Sequence, residues 1–234
     1  MNDLEKRAET AGYEKKVNMH MVKYSAKVFS RYIDREASIL ELGPAEGSMT
    51  DLLAPQFGDY TIVDAVDRFC REITQRHVHV EAVVSMFENY STERKFDVIL
   101  MGSILDALQY PDELLQKARH WLNENGLIIA SVANSHSVHR QAAVLMGLLE
   151  NENSFGTANV LMGHNRIYDR GSFEKLFIIN QFNIEASGGY WLKPLSNSQI
   201  ESYWTDEMLE AFMRLGEWYP EIAAELYIVA SVKE

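Results

Sequence analysis

ILELGPAEGSMTDLL (residues 39–53) reads as an apolar strand that runs into a glycine-punctuated turn and then a helix. The strand, 38–42, delivers Glu41 to its carboxyl end. Gly43, Ala45 and Gly47 then hold the positions of a G-x-G-x-G turn, where small residues let the backbone bend sharply and approach a ligand closely. The segments downstream repeat the rhythm. YTIVD (60–64) is a strand, 67–76 a helix, HVEAVV (79–84) a third strand and FDVILM (96–101) a fourth. Residues 111–122 form an amphipathic helix with Pro111 at its first position and Asp112 and Glu113 in its first turn. LIIASVA (127–133) follows as a fifth strand. Strands alternating with helices predict a doubly wound α/β domain, a seven-stranded and mostly parallel sheet with helices on both faces.

Outside this run, Val17, Met21, Tyr24, Val28 and Tyr32 recur at helical spacing, so 1–36 reads as two N-terminal helices. Beyond the fifth strand, Val138, Ala142, Leu145, Met146 and Leu149 mark a helix, and 151–168 is a polar, glycine-punctuated loop. Residues 170–180 are helical, 182–192 a strand with a bulge at Gly188–Gly189, and 225–232 the final strand. A helical cap, with a helix at 206–218, is inserted between those last two strands. The chain is thus expected to be one domain, 1–234: an N-terminal helical cap (1–36), a ligand-binding core (37–133) and acceptor-side elements (134–234).

The chain has 234 residues, 47% of them hydrophobic, enough for one large domain. A net charge of −12 disfavours nucleic acid as the main partner. The single cysteine, Cys70, excludes an intramolecular disulfide, and no apolar stretch approaches the length of a membrane span. The expected compartment is the cytoplasm. His77 and His79 resemble a metal pair without a third ligand, so no metal is expected.

The residues flanking the glycine turn discriminate between ligands. Glu41 would repel a pyrophosphate but suits an aminoacyl ammonium. Asp64 ends the second strand, 21 residues after Gly43, which puts a carboxylate beside ribose hydroxyls. Ser85, Met86 and Phe87 end the third strand with a small polar group for an adenine amino group and apolar faces for its ring. Together they favour S-adenosylmethionine over a dinucleotide. Ala65, Met101 and Gly102, at the ends of the second and fourth strands, complete the expected cofactor site.

At this point the chain resembles the class I S-adenosylmethionine-dependent methyltransferases over residues 36–190. ELGPAEG (41–47) looks like their first motif, E/D-x-G-x-G-x-G, and VDAVD (63–67) like their acidic second-strand end. FDVILMGSILDALQYPDELLQKARHWLNENGLIIASVAN (96–134) is similar to their run from fourth to fifth strand. Three departures stand out. Ala45 replaces the middle glycine, so the bend is expected to keep φ negative there. Asp106-Ala107 stands where many members have Glu-His, so a base must come from elsewhere. Asn125-Gly126 replaces Gly-Gly, and asparagine tolerates the left-handed conformation. GHNRIYDRGSFEKLF (163–177) and GGYWLKPLSN (188–197) resemble a small-molecule subgroup linked to polysaccharide, sugar or antibiotic biosynthesis.

The resemblance implies methyl transfer to a small polar acceptor: first a hydroxyl, as in a sugar or polysaccharide precursor, alternatively an amine or amino sugar. A non-catalytic protein that keeps the fold, or a dinucleotide oxidoreductase, are the competing readings. His164 is the first candidate base because its loop follows the fifth strand, and His136 the second. His139 and His20, the anionic-group anchors Arg166 and Lys193, and Tyr168 and Tyr190 are candidate acceptor contacts. Trp191, Tyr203 and Trp204 are further candidates to line the acceptor pocket. The N-terminal helices are expected to serve as a lid or a homodimer contact.

Overall fold

The computed structural model describes residues 16–156, 159–160 and 163–233. The first of the two expected N-terminal helices lies outside them. Helix α1 (Lys16–Phe29) precedes β1 (Ser38–Leu42), the short α2 (Thr50–Leu53) and β2 (Asp59–Asp64). Next come α3 (Asp67–Arg76), β3 (Val80–Val84), β4 (Phe96–Gly102), α4 (Pro111–Trp121) and β5 (Leu122–Ala133). The remainder is α5 (Val138–Leu145), α6 (Arg170–Ile179), β6 (Phe182–Tyr190), α7 (Asn197–Tyr203), α8 (Asp206–Trp218) and β7 (Glu225–Val232).

The seven strands form one sheet in the order β3-β2-β1-β4-β5-β7-β6. All pairings are parallel except those of β7, which runs antiparallel to β5 and β6. The strand order reverses between β1 and β4, which opens a crevice at their carboxyl ends. Side chains alternate across the sheet, so each strand feeds two cores. Ile39, Val98, Leu100 and Val229 face α1, α3, α7 and α8. Leu40, Ile99, Met101 and Ile228 face α4 and α6 on the other side.

Several local expectations need correction. The helix after the glycine turn is one turn long, because Pro55 cannot donate a helical amide and the chain tightens into a 3-10 turn at Ala54–Gln56. Helix α5 stops at Leu145 rather than near Leu149, and Gly147 follows it at φ 71°. The irregularity of β6 lies between Ile184 and Ala186, not at Gly188–Gly189. Those glycines serve close packing instead: a Cβ on Gly188 would sit 2.7 Å from the Tyr227 ring. Helix α7 was absent from the sequence reading, although Ser196 and Gln199 form a capping box that announces it.

Helix α1 closes the crevice from above. Val17, Tyr24, Val28 and Phe29 are buried in the core shared with α7 and α8. Glu201 of α7 accepts the Lys16 and Val17 amides at 2.9 and 3.0 Å. Ion pairs Lys27–Glu210, from α1, and Arg31–Glu217, from the 3-10 turn Ser30–Tyr32 after it, reach α8. Exposed pairs contribute about 0–1 kcal/mol each, whereas a buried apolar side chain contributes about 1.5–3 kcal/mol, so the apolar face decides the docking.

Helix α8 rests directly on the turn that follows β6. A Cβ on Gly216 would lie 2.1 Å from the Trp191 nitrogen and 2.4 Å from the Tyr190 carbonyl carbon. Both are backbone atoms, so neither yields. Gly216→Ala is expected to destabilise the protein by about 3 kcal/mol or more, read from the midpoint of a urea unfolding curve.

Candidate active site

The turn after β1 separates two cavities. The first is lined by Glu41, Gly43, Ala45, Ser48, Gly102, Ser103 and Ser131, with Met21, Val22, Ser25 and Phe29 of α1 as its roof. The second is lined by Asp64, Ala65, Val66, Phe69, Met86 and Phe87, with Ala45 as the shared wall. The first offers a carboxylate and small polar groups; the second offers a carboxylate and apolar faces.

The turn has three consecutive odd positions at positive φ: Gly43 at 69°, Ala45 at 50° and Gly47 at 87°. Ala45 is therefore left-handed, contrary to the expectation of a negative φ. The reason is a hydrogen bond: the Ala45 amide must point at the Asp64 carboxylate, which accepts it at 3.2 Å. A left-handed alanine costs roughly 1–2 kcal/mol. Glycines stand where nothing larger fits, since a Cβ on Gly43 would meet Ile104 at 2.9 Å and one on Gly47 would meet Ile73 at 2.6 Å.

Glu41 is buried under the turn. Thr50 and Tyr60 both donate to its Oε2, at 2.6 and 2.8 Å. Oε1 receives no donor from the described residues, and Glu41 borders the first cavity. Burial pushes its carboxyl up to about 7, against the two hydroxyl donors that pull it down. A cationic group arriving at Oε1 would restore the ionised form. Asp64 accepts the Val66 amide at 2.8 Å on Oδ1 besides the Ala45 amide on Oδ2. Burial raises it and these amides lower it. Each oxygen keeps a lone pair, so a diol can still be held in the second cavity.

The methyltransferase domain family matches residues 11–187. This chain belongs to that family. The donor set fits S-adenosylmethionine: a carboxylate for the ammonium, a carboxylate for the ribose, and Val66, Phe69, Met86 and Phe87 for the adenine ring. Nodulation protein S of Rhizobium tropici is 36% identical over 73 residues, 30% of each chain. That of Bradyrhizobium diazoefficiens is 31% identical over 103 residues, 42% of this chain and 46% of that one. The chain thus spans a third to a half of the length of these curated relatives. In structure it is similar to the N-methyltransferase NodS from Bradyrhizobium japonicum in complex with S-adenosylhomocysteine, with a TM-score of 0.59 at 13% identity, covering 94% of this chain and 89% of that one.

Not every cofactor candidate of the methyltransferase reaches the cavities. Met101 is fully buried on the α4 face, since Leu100 and Gly102 take the cavity face of β4 and alternation sends Met101 away. Ser85 turns its hydroxyl onto the Met86 carbonyl at 2.8 Å and borders an outer groove at the β3 edge. The roof residues on α1, together with Ser103 and Ser131, were missed by sequence reasoning.

A second group of polar residues lies beyond Ser131, on the same sheet face. Ser131 pairs with Tyr227, Ala133 with Glu225, and Glu225 with Tyr190. The Tyr190 hydroxyl is 2.7 Å from Ser25 Oγ and also bonds Ser131, so it joins the cavity wall to its roof. Glu225 was not anticipated. Burial pushes its carboxyl up to about 8, which Lys193 opposes and Asp106 reinforces. Burial also drives Lys193 down to about 8 and His139 to about 3, the latter helped by the charges of Lys193 and Arg140.

His164 reaches this region from its loop. Its Nδ1 lies 3.3 Å from the Asp106 Oδ2 and 3.2 Å from the Asn159 amide nitrogen. An imidazole thus sits beside the aspartate of the Asp106-Ala107 pair. Burial raises Asp106 and His164 lowers it. Four buried polar atoms here have no partner among the described residues: Asp106 Oδ1, Ser137 Oγ, His139 Nδ1 and Trp191 Nε1. Such orphans mark a place where a ligand or ordered water completes the bonding.

Other candidates point elsewhere. His136 is 56% exposed and pairs with Glu152, because its amide is drawn onto the Asn134 side chain at 2.9 Å and the ring swings outward. His20 faces Asp206 at 3.4 Å, at the start of α8, not the cavity. Tyr203 is 84% exposed, and Trp204 stacks on Phe212 with ring centroids 4.5 Å apart. His77 bonds Asp51 at 2.7 Å and His79 the Ala54 carbonyl at 2.9 Å, and no metal-ligand cluster occurs among the described residues. No helix among them is long and apolar enough to cross a membrane.

Two outcomes follow for the turn. Ala45→Gly is expected to raise stability by about 0.5–1 kcal/mol, the left-handed cost less the greater entropy of glycine, measured by chemical denaturation. An ammonium on Glu41 favours its ionised form, so S-adenosylhomocysteine should bind with proton release below pH 7, and its affinity should rise with pH and level off above about 7. Calorimetry in buffers of different ionisation enthalpy reads this directly. Glu41→Gln should remove the pH dependence and weaken binding by about tenfold or more.

Proposed function

We propose that this methyltransferase methylates an amine nitrogen of a small polar molecule. The observation that carries the reading is Glu225, a recessed carboxyl at the carboxyl end of the sheet, in register with Tyr190, whose hydroxyl reaches the walls of the first cavity. Bound S-adenosylmethionine supplies an activated methyl group and a sulfide leaving group. The chain must then align a nucleophile and exclude water. An amine reacts through its neutral lone pair, so the site needs only to take the proton of an ammonium. A carboxyl near 8 is matched to that proton; His139, near 3, is not. Ser25, Ser103 and Ser131 supply hydrogen-bonding groups along the way without competing as strong bases. The likeness to nodulation protein S and to a structure described as an N-methyltransferase supports the same reading.

A hydroxyl acceptor is the second reading, and the Asp106–His164 contact favours it, because a hydroxyl calls for an oriented base. The two separate by experiment. Methyl transfer from labelled S-adenosylmethionine to a panel of amines and matched alcohols should label the amines. With an amine, kcat/KM should rise with pH through about 8, because only ionised Glu225 accepts the ammonium proton. Glu225→Gln should lower kcat/KM and flatten that limb. Labelling of alcohols alone, lost on His164→Ala, would sink the amine reading.

A further inference from the structure

We propose that Lys193 and Glu225 form a two-ended acceptor subsite that selects amines carrying an acid group, with the acid on Lys193 and the nitrogen on the Glu225 side. The proposal rests on the amine reading above.

The geometry around Lys193 is built for a purpose other than packing. Strand β6 ends at Tyr190, and Trp191 then turns left-handed at φ 68° although it is a bulky, buried residue. Such a conformation costs of order 1–3 kcal/mol and persists only where surrounding structure enforces it. Here the enforcement is explicit. The Trp191 amide donates to Met213 O at 3.0 Å, the Leu192 amide to Phe212 O at 2.8 Å, and the Trp191 carbonyl accepts from Ala224 at 2.8 Å. Two residues on, the Lys193 ammonium lies 4.8 Å from the centroid of the Trp191 ring. No hydrogen-bond acceptor or ion-pair partner reaches it among the described residues. A recessed ammonium held only by a ring face lacks the partner that such a charge ordinarily has.

The neighbours say what that partner is. Glu225 is the carboxylate whose charge acts most on Lys193, yet the two make no direct ion pair among the described residues. An acceptor placed between them would complete both. His139, whose charged form Lys193 opposes, has a buried Nδ1 without a partner among the described residues. Its uncharged state leaves Lys193 as the cation available to an incoming anion, since the Arg140 guanidinium is already committed to the carbonyls of Glu152 and Ser154. Asp106, whose charge acts on Glu225, adds a second acid with an unpartnered Oδ1, so this end suits an ammonium. A plain amine would satisfy one end and leave Lys193 stranded; an amino acid satisfies both.

The test uses the full chain loaded with S-adenosylhomocysteine and titrated with a panel of amino acids and their matched decarboxylated amines. The amino acids should bind about tenfold or more tightly than the amines, the difference of one charge-assisted contact. Lys193→Met should abolish that advantage, so that each amino acid binds no more tightly than its matched amine, and Lys193→Arg should keep part of it. Removing a recessed charge should leave the melting temperature of Lys193→Met equal or higher; should that variant not fold, Lys193→Gln replaces it. Equal binding of acids and amines, no binding of any acid by the wild type, or an advantage that survives in both Lys193→Met and Lys193→Gln overturns the subsite. The amine reading fails separately: amino acids held through Lys193 but never methylated on nitrogen would sink that reading and keep the subsite. Methylated amines without any preference for acids would do the reverse.

Discussion

The Asp64 carboxylate fastens two turns to each other, and both cavities take their shape from that fastening. One oxygen holds the amide of Ala45 in the turn after β1, and the other holds the amide of Val66 in the turn after β2. Those turns end neighbouring parallel strands at the point where the sheet opens. Without Asp64 the Ala45 amide would lose its acceptor, and only the Gly47 amide on the Pro44 carbonyl would hold the turn around φ 50°. The strain in the turn is thus sustained by a buried charge, and the buried charge is sustained by amides. Each is unfavourable alone and stable together, a pattern common where a ligand site overrides local preference.

The same logic extends along the sheet face. Glu41, Asp64, Glu225 and Asp106 are all buried or recessed acids whose neutral forms are favoured by burial. An ordinary core would replace them with apolar groups, since isolated buried charges are costly. Each lies against a cavity or beside unpartnered polar atoms, where a ligand can complete its bonding. Helix α1, whose Met21, Val22, Ser25 and Phe29 roof the first cavity, keeps water from that surface by apolar contact rather than by its exposed ion pairs.

Much of this was legible in the residues alone. The alternation of apolar strands and amphipathic helices placed all seven strands, because each period is a local property that the chain cannot hide. Glu41, Gly43 and Asp64 were legible because a strand end followed by a tight turn leaves few positions that face a ligand. Met101 was misjudged because it neighbours the cavity-lining Leu100 and Gly102 and a strand sends neighbours to opposite faces, and Ser85, past the end of β3, because its hydroxyl turns onto the Met86 carbonyl. Ala45 showed that a small residue is tolerated but not at which φ, which depends on Asp64, 19 residues away. Glu225 carried no local signal at all, as it opens an otherwise apolar strand.

The order of the elements and the doubly wound architecture were therefore determined by the sequence itself, through periodicities and spacings that act over a few residues. The proposed acceptor site was decided only by tertiary structure. Its parts come from β5, β7, the turn after β6 and two loops, far apart in the chain, and they meet because β7 inserts antiparallel between β5 and β6. Whether a charged residue there is solvated or recessed depends on what the sheet stacks around it, and no local pattern encodes that.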